Sequence, residues 1–338
     1  MKRIPDYDLS AHNTFGMKVK AALYIEYDTV DELKGLDVAS LPQPVLHIGA
    51  GSNLLFTHDF PGTVLHSAVK FLKYVDMGLD DVLVTAGAGV VFDDFVRNAC
   101  DNGLWGAENL SLIPGEVGAA AVQNIGAYGV EAKDIIAGVV CLDTSDWSKT
   151  VFKTAECAYG YRDSMFKHNK GRYIVTSVLF RLTRRHSPKL DYGNIRAALE
   201  GRNPESLAPS DVREAIIGIR RQKLPDPAET GSAGSFFKNP VISREHFDRI
   251  VAENSDAKVP SFDLPDGTVK VPAAWMIDRC GFRGQSLGGA QVYEKQPLVI
   301  VNASGDASPD DVIALEKRII ESVRERFGVT LCPEVEHI

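Results

Sequence analysis

At 338 residues, with 44% hydrophobic and 24% charged side chains, the chain is long enough for two or three domains and buries a core that needs no covalent staples. A net charge of −8 gives no sign of the basic face usual in a nucleic-acid binder, and no apolar run reaches bilayer length. Five widely spaced cysteines (Cys100, Cys141, Cys157, Cys280 and Cys332) contain no Cys-x-x-Cys pair, so neither a disulfide framework nor a metal site is expected and all read as buried, reduced thiols. The first residues lack the apolar segment of a secretory signal, which makes the cytoplasm the expected compartment.

Alternation and β-favouring residues predict a strand over 19–27, then a short helix over 30–36. A buried strand over 44–48 runs straight into Gly49-Ala50-Gly51-Ser52-Asn53. Short strands are predicted near 63–66, 70–76 and 82–86, and Phe92, Phe95, Val96 and Ala99 recur at helical spacing. The stretch 104–130 is punctuated by glycine, rich in Ala, Asn and Ser, and poor in charge; it is expected to lack regular structure. Strands resume near 135–143 and 173–182. A Pro- and Gly-bearing excursion over 183–211 marks a boundary. Helices are predicted at 209–221, 243–254, 272–280 and 309–327. In the last, Ser308 caps, Pro309 starts, Asp311 completes a capping box and Gly328 ends the helix.

Five segments carry chemistry. Small residues after a strand, as at 49–53, present backbone N–H groups in a nest that favours an anion such as a diphosphate. The G-x-G-x-x-G and Walker spacings are both absent. Two adjacent Gly-rich loops, Ile113-Pro114-Gly115-Glu116-Val117-Gly118 and Asn124-Ile125-Gly126-Ala127-Tyr128-Gly129, could wrap a large flat cofactor. In Tyr161-Arg162-Asp163 the guanidinium can polarise a carboxylate or enolate, with Asp163 as a possible orienter. In the loop Gly231-Ser232-Ala233-Gly234-Ser235-Phe236-Phe237, Ser235 reads as a general acid or as a nucleophile. No G-x-S-x-G elbow frames it, which weakens the nucleophile reading. Glu334, near the chain end, matters only if that end folds back into a site.

Together these segments resemble the UDP-N-acetylenolpyruvoylglucosamine reductase family of bacterial peptidoglycan precursor synthesis. The resemblance covers nearly the whole chain. It begins at Asn13-Thr14-Phe15-Gly16 and passes through the 49–53, 109–118, 124–129, 160–167, 223–227 and 234–240 segments. It ends at Pro333-Glu334-Val335. The resemblance implies an α+β fold: an FAD-binding part of the vanillyl-alcohol-oxidase type in two α/β subdomains (1–70 and 71–208, with an excursion near 186–208). A C-terminal α/β substrate-binding domain (209–328) would follow, and then a terminal segment (329–338) returning to the active site.

The same resemblance implies non-covalent FAD, since no His or Cys stands in the 49–53 loop. Its diphosphate would lie on Gly49, Ala50, Gly51, Ser52 and Asn53. The rest would lie against Asn109, Pro114, Gly115, Gly118, Asn124, Gly126, Ala127, Tyr128 and Gly129. NADPH would deliver a hydride to flavin N5, and the enolpyruvyl ether of UDP-N-acetylglucosamine would receive it at C3. Ser235 would protonate C2, with Arg162 and Glu334 stabilising the enolic form. Tyr161, Lys223, Asn239 and Gln296 match positions that contact substrate or nicotinamide, and Lys270 would reach the substrate diphosphate. Tyr192 matches a tyrosine on a mobile loop of one subclass. Two departures stand out: Glu116 replaces a residue that is often small, and Phe262 stands where a tyrosine is expected. The implied protein is a monomer acting on small molecules, with no nucleic-acid or membrane partner. Rival readings are a flavin oxidase of the same fold and a non-catalytic nucleotide-binding protein. The combination of Ser235, Arg162 and Glu334 speaks against both.

Overall fold

A computed structural model describes residues 1–338. The chain forms two compact units that interleave along the sequence. Met1–Asp8, Lys20–Ala50 and Phe60–Gln222 make the first; Leu9–Val19, Gly51–Asp59 and Lys223–Ile338 make the second.

The first unit holds two principal sheets. One is ordered Lys2–Asp8, Lys20–Tyr27, Phe60–Ser67, Val45–Ile48, and its last two pairings are parallel. Phe60–Ser67 is central and buried along nearly its whole length, its polar Thr63, His66 and Ser67 included. The other sheet is antiparallel throughout, ordered Lys149–Lys153, Ile136–Asp143, Tyr173–Thr183, Asp81–Gly87, Leu72–Gly78. The helix Phe92–Asp101 lays its predicted stripe on this sheet, with Phe95 stacked on Phe180 at 4.2 Å between ring centroids. Two edge strands, Lys2–Asp8 and Lys149–Lys153, escape the sequence reading because exposed, charge-bearing edges lack a clean two-residue alternation.

The stretch 104–130 departs from expectation, because it contains the helix Val117–Gln123. Three consecutive alanines, 119 to 121, favour a helix. Gly118 lets it press close: a Cβ there would sit 3.0 Å from the Ala88 methyl. The excursion after Thr183 builds a small core of its own, in which Leu190, Ile195, Leu199 and Leu207 pack with Trp105 and the helix Pro209–Lys223.

The second unit carries a sheet ordered Gly231–Ser235, Val299–Asn302, Ala290–Val292, Ser286–Leu287. It also has a three-stranded sheet and the helices Arg244–Glu253, Ala273–Arg279 and Pro309–Phe327. The last helix has the predicted ends: Ser308 accepts from the Asp311 amide, Asp311 reciprocates, and Gly328 takes φ +66°. Two expectations are corrected. Ser235 is the last residue of a strand rather than part of a loop. Of the thiols, Cys100, Cys141 and Cys157 are buried, but Cys280 is partly exposed and Cys332 is exposed.

Candidate functional site

In the first unit the site is organised around a hairpin. Gly126–Ala127 pairs with Val130–Glu131 across Tyr128 and Gly129, whose φ values of +49° and +79° make a two-residue turn of the type that matches strand twist. Gly126 has no room for a side chain: a Cβ would lie 2.9 Å from the Glu131 Cγ and from the Val130 carbonyl oxygen, and 3.1 Å from the Arg162 Nη1. Arg162 donates from Nη2 to the Gly126 carbonyl at 2.7 Å, with its guanidinium 5.5 Å from the Tyr161 ring centroid. Arg162 sits at the tip of a tight turn closed by Gly160 and Asp163, at φ +54°, an uncommon conformation for a side-chain-bearing residue. The Asp163 carboxylate takes the His168 Nε2 at 2.9 Å.

Asn124 anchors that turn. It caps the helix Val117–Gln123 at φ +47°, donates to Glu131 at 3.0 Å and to the Gly160 carbonyl at 2.8 Å, and accepts from the Lys133 amide. All three contacts are to protein. Asn109, equally buried, donates to the carbonyls of Tyr128 and Lys189, both at 2.9 Å, while its Oδ1 is buried with no partner. Tyr192 packs on the hairpin tip, 3.3 Å from where a Gly129 Cβ would stand, and the Arg162 charge opposes the rise that burial imposes on its hydroxyl pKa. In the Pro114 to Gly118 segment, the amides of Val117 and Gly118 donate to the carbonyls of Val90 and Ala88, and the Gly115 carbonyl accepts from Phe92.

The chain crosses from the first unit to the second between Ala50 and Gly51. Gly49 faces Ala119 and Glu116, each 3.2 Å from a Cβ built on it. Gly51, at φ +65°, lies against the His12 carbonyl, where a Cβ would come within 2.0 Å; only glycine fits.

In the second unit the chain end folds back. A register shift between Ser232 and Ser235, with Gly234 at φ +71°, bends the strand so that Ser235 pairs with Val299. The Glu334 amide then donates to the Phe236 carbonyl at 2.8 Å, and Lys238 donates to the Cys332 carbonyl at 2.9 Å. Asn53 donates from Nδ2 to the Glu334 carbonyl at 3.0 Å, and Glu336–His337 runs parallel to Leu54–Leu55. Ser235, Glu334 and Asn53, distant in sequence, are thus tied through one hydrogen-bonded set. Phe236 and Phe237 are fully buried behind it. Gln296 lies in the turn that feeds Val299, the partner of Ser235. Asn239 accepts from the Ala273 amide at 2.9 Å, and Lys223 is exposed at the end of its helix. Lys270 pairs in register with Phe262 and holds its ammonium 5.5 Å from that ring's centroid, so the residue lacking the expected hydroxyl makes a cation–π contact instead.

Two features of the first unit escape a reading of the sequence. Arg220 has its Nε buried without a hydrogen-bond partner, and burial lowers its pKa against the influence of Tyr128 and Asp93. Its sequence signal, one of two adjacent arginines in the last turn of a helix, reads as a solvated end. The other is His66, held between Glu26 and Glu116 on a strand that looks purely structural.

Residues 226–338 match the UDP-N-acetylenolpyruvoylglucosamine reductase C-terminal domain, and residues 22–146 match an FAD binding domain. The UDP-N-acetylenolpyruvoylglucosamine reductase of Bacteroides fragilis is 50% identical over 334 residues, covering 98% of this chain and 99% of that protein. The protein of the same name from Chromobacterium violaceum is 45% identical, covering 97% of each chain. Among solved structures, the UDP-N-acetylenolpyruvylglucosamine reductase of Thermus caldophilus superposes with a TM-score of 0.68 at 25% identity, covering 99% of this chain and 98% of that one. The two-part architecture and the full-length identity agree: this chain belongs to the UDP-N-acetylenolpyruvoylglucosamine reductase family of FAD-dependent oxidoreductases.

Proposed function

We propose that the chain reduces the enolpyruvyl ether of UDP-N-acetylglucosamine to UDP-N-acetylmuramate at the expense of NADPH, with Ser235, Arg162 and Glu334 as its catalytic residues. The observation that carries this reading is the return of the terminal segment, which ties Glu334 through its own amide to the residue that follows Ser235.

The residues present fit FAD. The first unit keeps an unmet buried acceptor on Asn109 and an unmet buried donor on Arg220. Unmet buried polar groups are costly unless a ligand or water completes them. Gly49, Ala50, Gly51, Ser52 and Asn53 would receive the diphosphate, and Asn109 with the 126–129 hairpin would line the rest. Bound FAD supplies hydride chemistry, from NADPH to C3 of the enolpyruvyl group.

The protein supplies the proton and the charge. Ser235 Oγ gives its proton to C2 as negative charge develops there. Arg162, held by the Gly126 carbonyl, is already oriented and stabilises that charge without reorganisation. Glu334 acts on the same enolic carboxylate and must be protonated or paired to do so. Tyr161, Asn239, Gln296, Lys223 and Lys270 bind substrate or nicotinamide. Tyr192 belongs to the closing loop of the tyrosine subclass, a reading supported by its packing on Gly129. No helix is long and apolar enough to cross a membrane; cytoplasmic location and a monomeric state are part of the same proposal.

Ser235→Ala separates the two half-reactions. Flavin bleaching by NADPH should proceed at the parent rate, while product formation falls by about a thousandfold, within the range for a lost general acid. A variant that forms product like the parent removes Ser235 from the reaction. NADPH oxidation by the parent that is indifferent to the enolpyruvyl substrate removes the reductase reading itself.

A further inference from the structure

The departure at Glu116 has a partner. His66, on the strand Phe60–Ser67, is 6% exposed and has a carboxylate against each ring nitrogen. Nε2 lies 2.9 Å from the Glu116 Oε1, and Nδ1 lies 3.2 Å from the Glu26 Oε2 and 3.0 Å from the Tyr24 hydroxyl. A carboxylate oxygen accepts, so a histidine between two of them satisfies both only when both of its nitrogens donate, that is, as the imidazolium. The other oxygen of Glu116 stands 3.2 Å from the Cβ position of Gly49, the first residue of the loop read above as the diphosphate site. An acidic side chain against an anion-binding loop opposes its ligand unless a cation offsets it.

We propose that protonated His66 is a positioning residue for the cofactor: it is the counter-ion of Glu116 that lets the Gly49 end of the loop accept the diphosphate of FAD. The proposal rests on the diphosphate reading of that loop. Burial lowers the His66 pKa, but the hydrogen bonds and charges of Glu116 and Glu26 outweigh it, and the net direction is up. Lys2 pairs with Glu26 at 2.5 Å from the edge strand, where Tyr7 stacks on Tyr24. On the other side His47 hydrogen-bonds Tyr27 at 2.7 Å, and burial with the His66 charge drives its pKa down to about 4, so it stays neutral where His66 is charged. A histidine stabilised in its charged form favours the cofactor at low pH and stops doing so as pH rises through its own titration.

The test uses the full-length apoprotein, with FAD affinity read from quenching of flavin fluorescence between about pH 6 and about pH 10 and the His66 ring proton followed by NMR. The parent should lose about tenfold in affinity as His66 deprotonates, the equivalent of one pKa unit. His66→Gln should bind weakly at every pH. Glu116→Gln should bind tightly with a flat profile, and the double variant should recover the affinity that His66→Gln loses. Recovery is what a purely structural role would not give. A pH dependence that survives in Glu116→Gln, or a double variant as weak as His66→Gln, overturns the proposal. Gly49→Val separates the underlying reading: full affinity there removes the diphosphate site itself, whereas lost affinity there with normal His66→Gln binding removes only the role of His66.

Discussion

Asn124 illustrates how a functional-looking residue serves a site from behind it. The resemblance places it among the cofactor contacts, and the structure directs its side chain to Gly160, Glu131 and Lys133. Those bonds fix the turn on which Arg162 stands. Asn124→Ala leaves buried groups unpaired and puts a Cβ-bearing residue without a compensating side chain at φ +47°, so a loss of about 3 kcal/mol is expected. Asn124→Gly relieves the backbone but not the bonds and should recover about 1 kcal/mol of it. Urea unfolding of the two variants checks this. Both should also lower product formation more than flavin reduction by NADPH, because the displaced group is Arg162. Equal stability of Asn124→Ala and the parent would show that the turn holds itself. This support role was not legible in the sequence, since an amide that binds backbone looks there like one that binds a ligand.

At the scale of elements, legibility followed locality. The helix Pro309–Phe327 was readable to its ends because Ser308, Pro309, Asp311 and Gly328 all act within one turn of it. The helix Val117–Gln123 was hidden by its glycine, whose purpose is contact with Ala88, a residue outside the segment. Ser235 reads in the sequence as a loop residue because its strand contains two glycines and a bulge, which erase the two-residue alternation. The terminal segment was the least legible: nothing local says that Glu336–His337 pairs with Leu54–Leu55. Deleting residues 333–338 removes Glu334 and that pairing, and uncovers the main chain of Phe236 and Asn53. The expected result is folded protein with unchanged helix content and a new protease-sensitive site near 53–59. Substrate-dependent NADPH oxidation should fall to background. Parent-like proteolysis together with retained turnover would show that the segment is dispensable.

At the scale of the molecule, the chain does not build its units in sequence order. The match to the family's C-terminal domain begins at residue 226, but the compact unit that contains it also takes Leu9–Val19 and Gly51–Asp59. These short pieces bring Leu9, Phe15, Met17, Leu55 and Phe56, all essentially inaccessible to solvent. Their backbone is woven in as well. Thr14 exchanges hydrogen bonds with Ser232 through its carbonyl and its hydroxyl, and Asn302 donates to the Phe15 carbonyl. Gly231 has no room for a side chain because the Phe15 carbonyl lies 2.3 Å from its Cβ position. The early motif Asn13-Thr14-Phe15-Gly16 is therefore woven into the strand that carries Ser235. Loss of five buried apolar side chains, at about 1.5–3 kcal/mol each, is comparable to the whole stability of an ordinary domain. A fragment of residues 223–338 should accordingly lack a cooperative thermal transition and give a collapsed amide spectrum by NMR. Adding a peptide of residues 9–19 alone should not rescue it, since Leu55 and Phe56 would still be missing. A fragment that melts cooperatively would mean that the second unit stands on its own sequence, and that the two early insertions only decorate it.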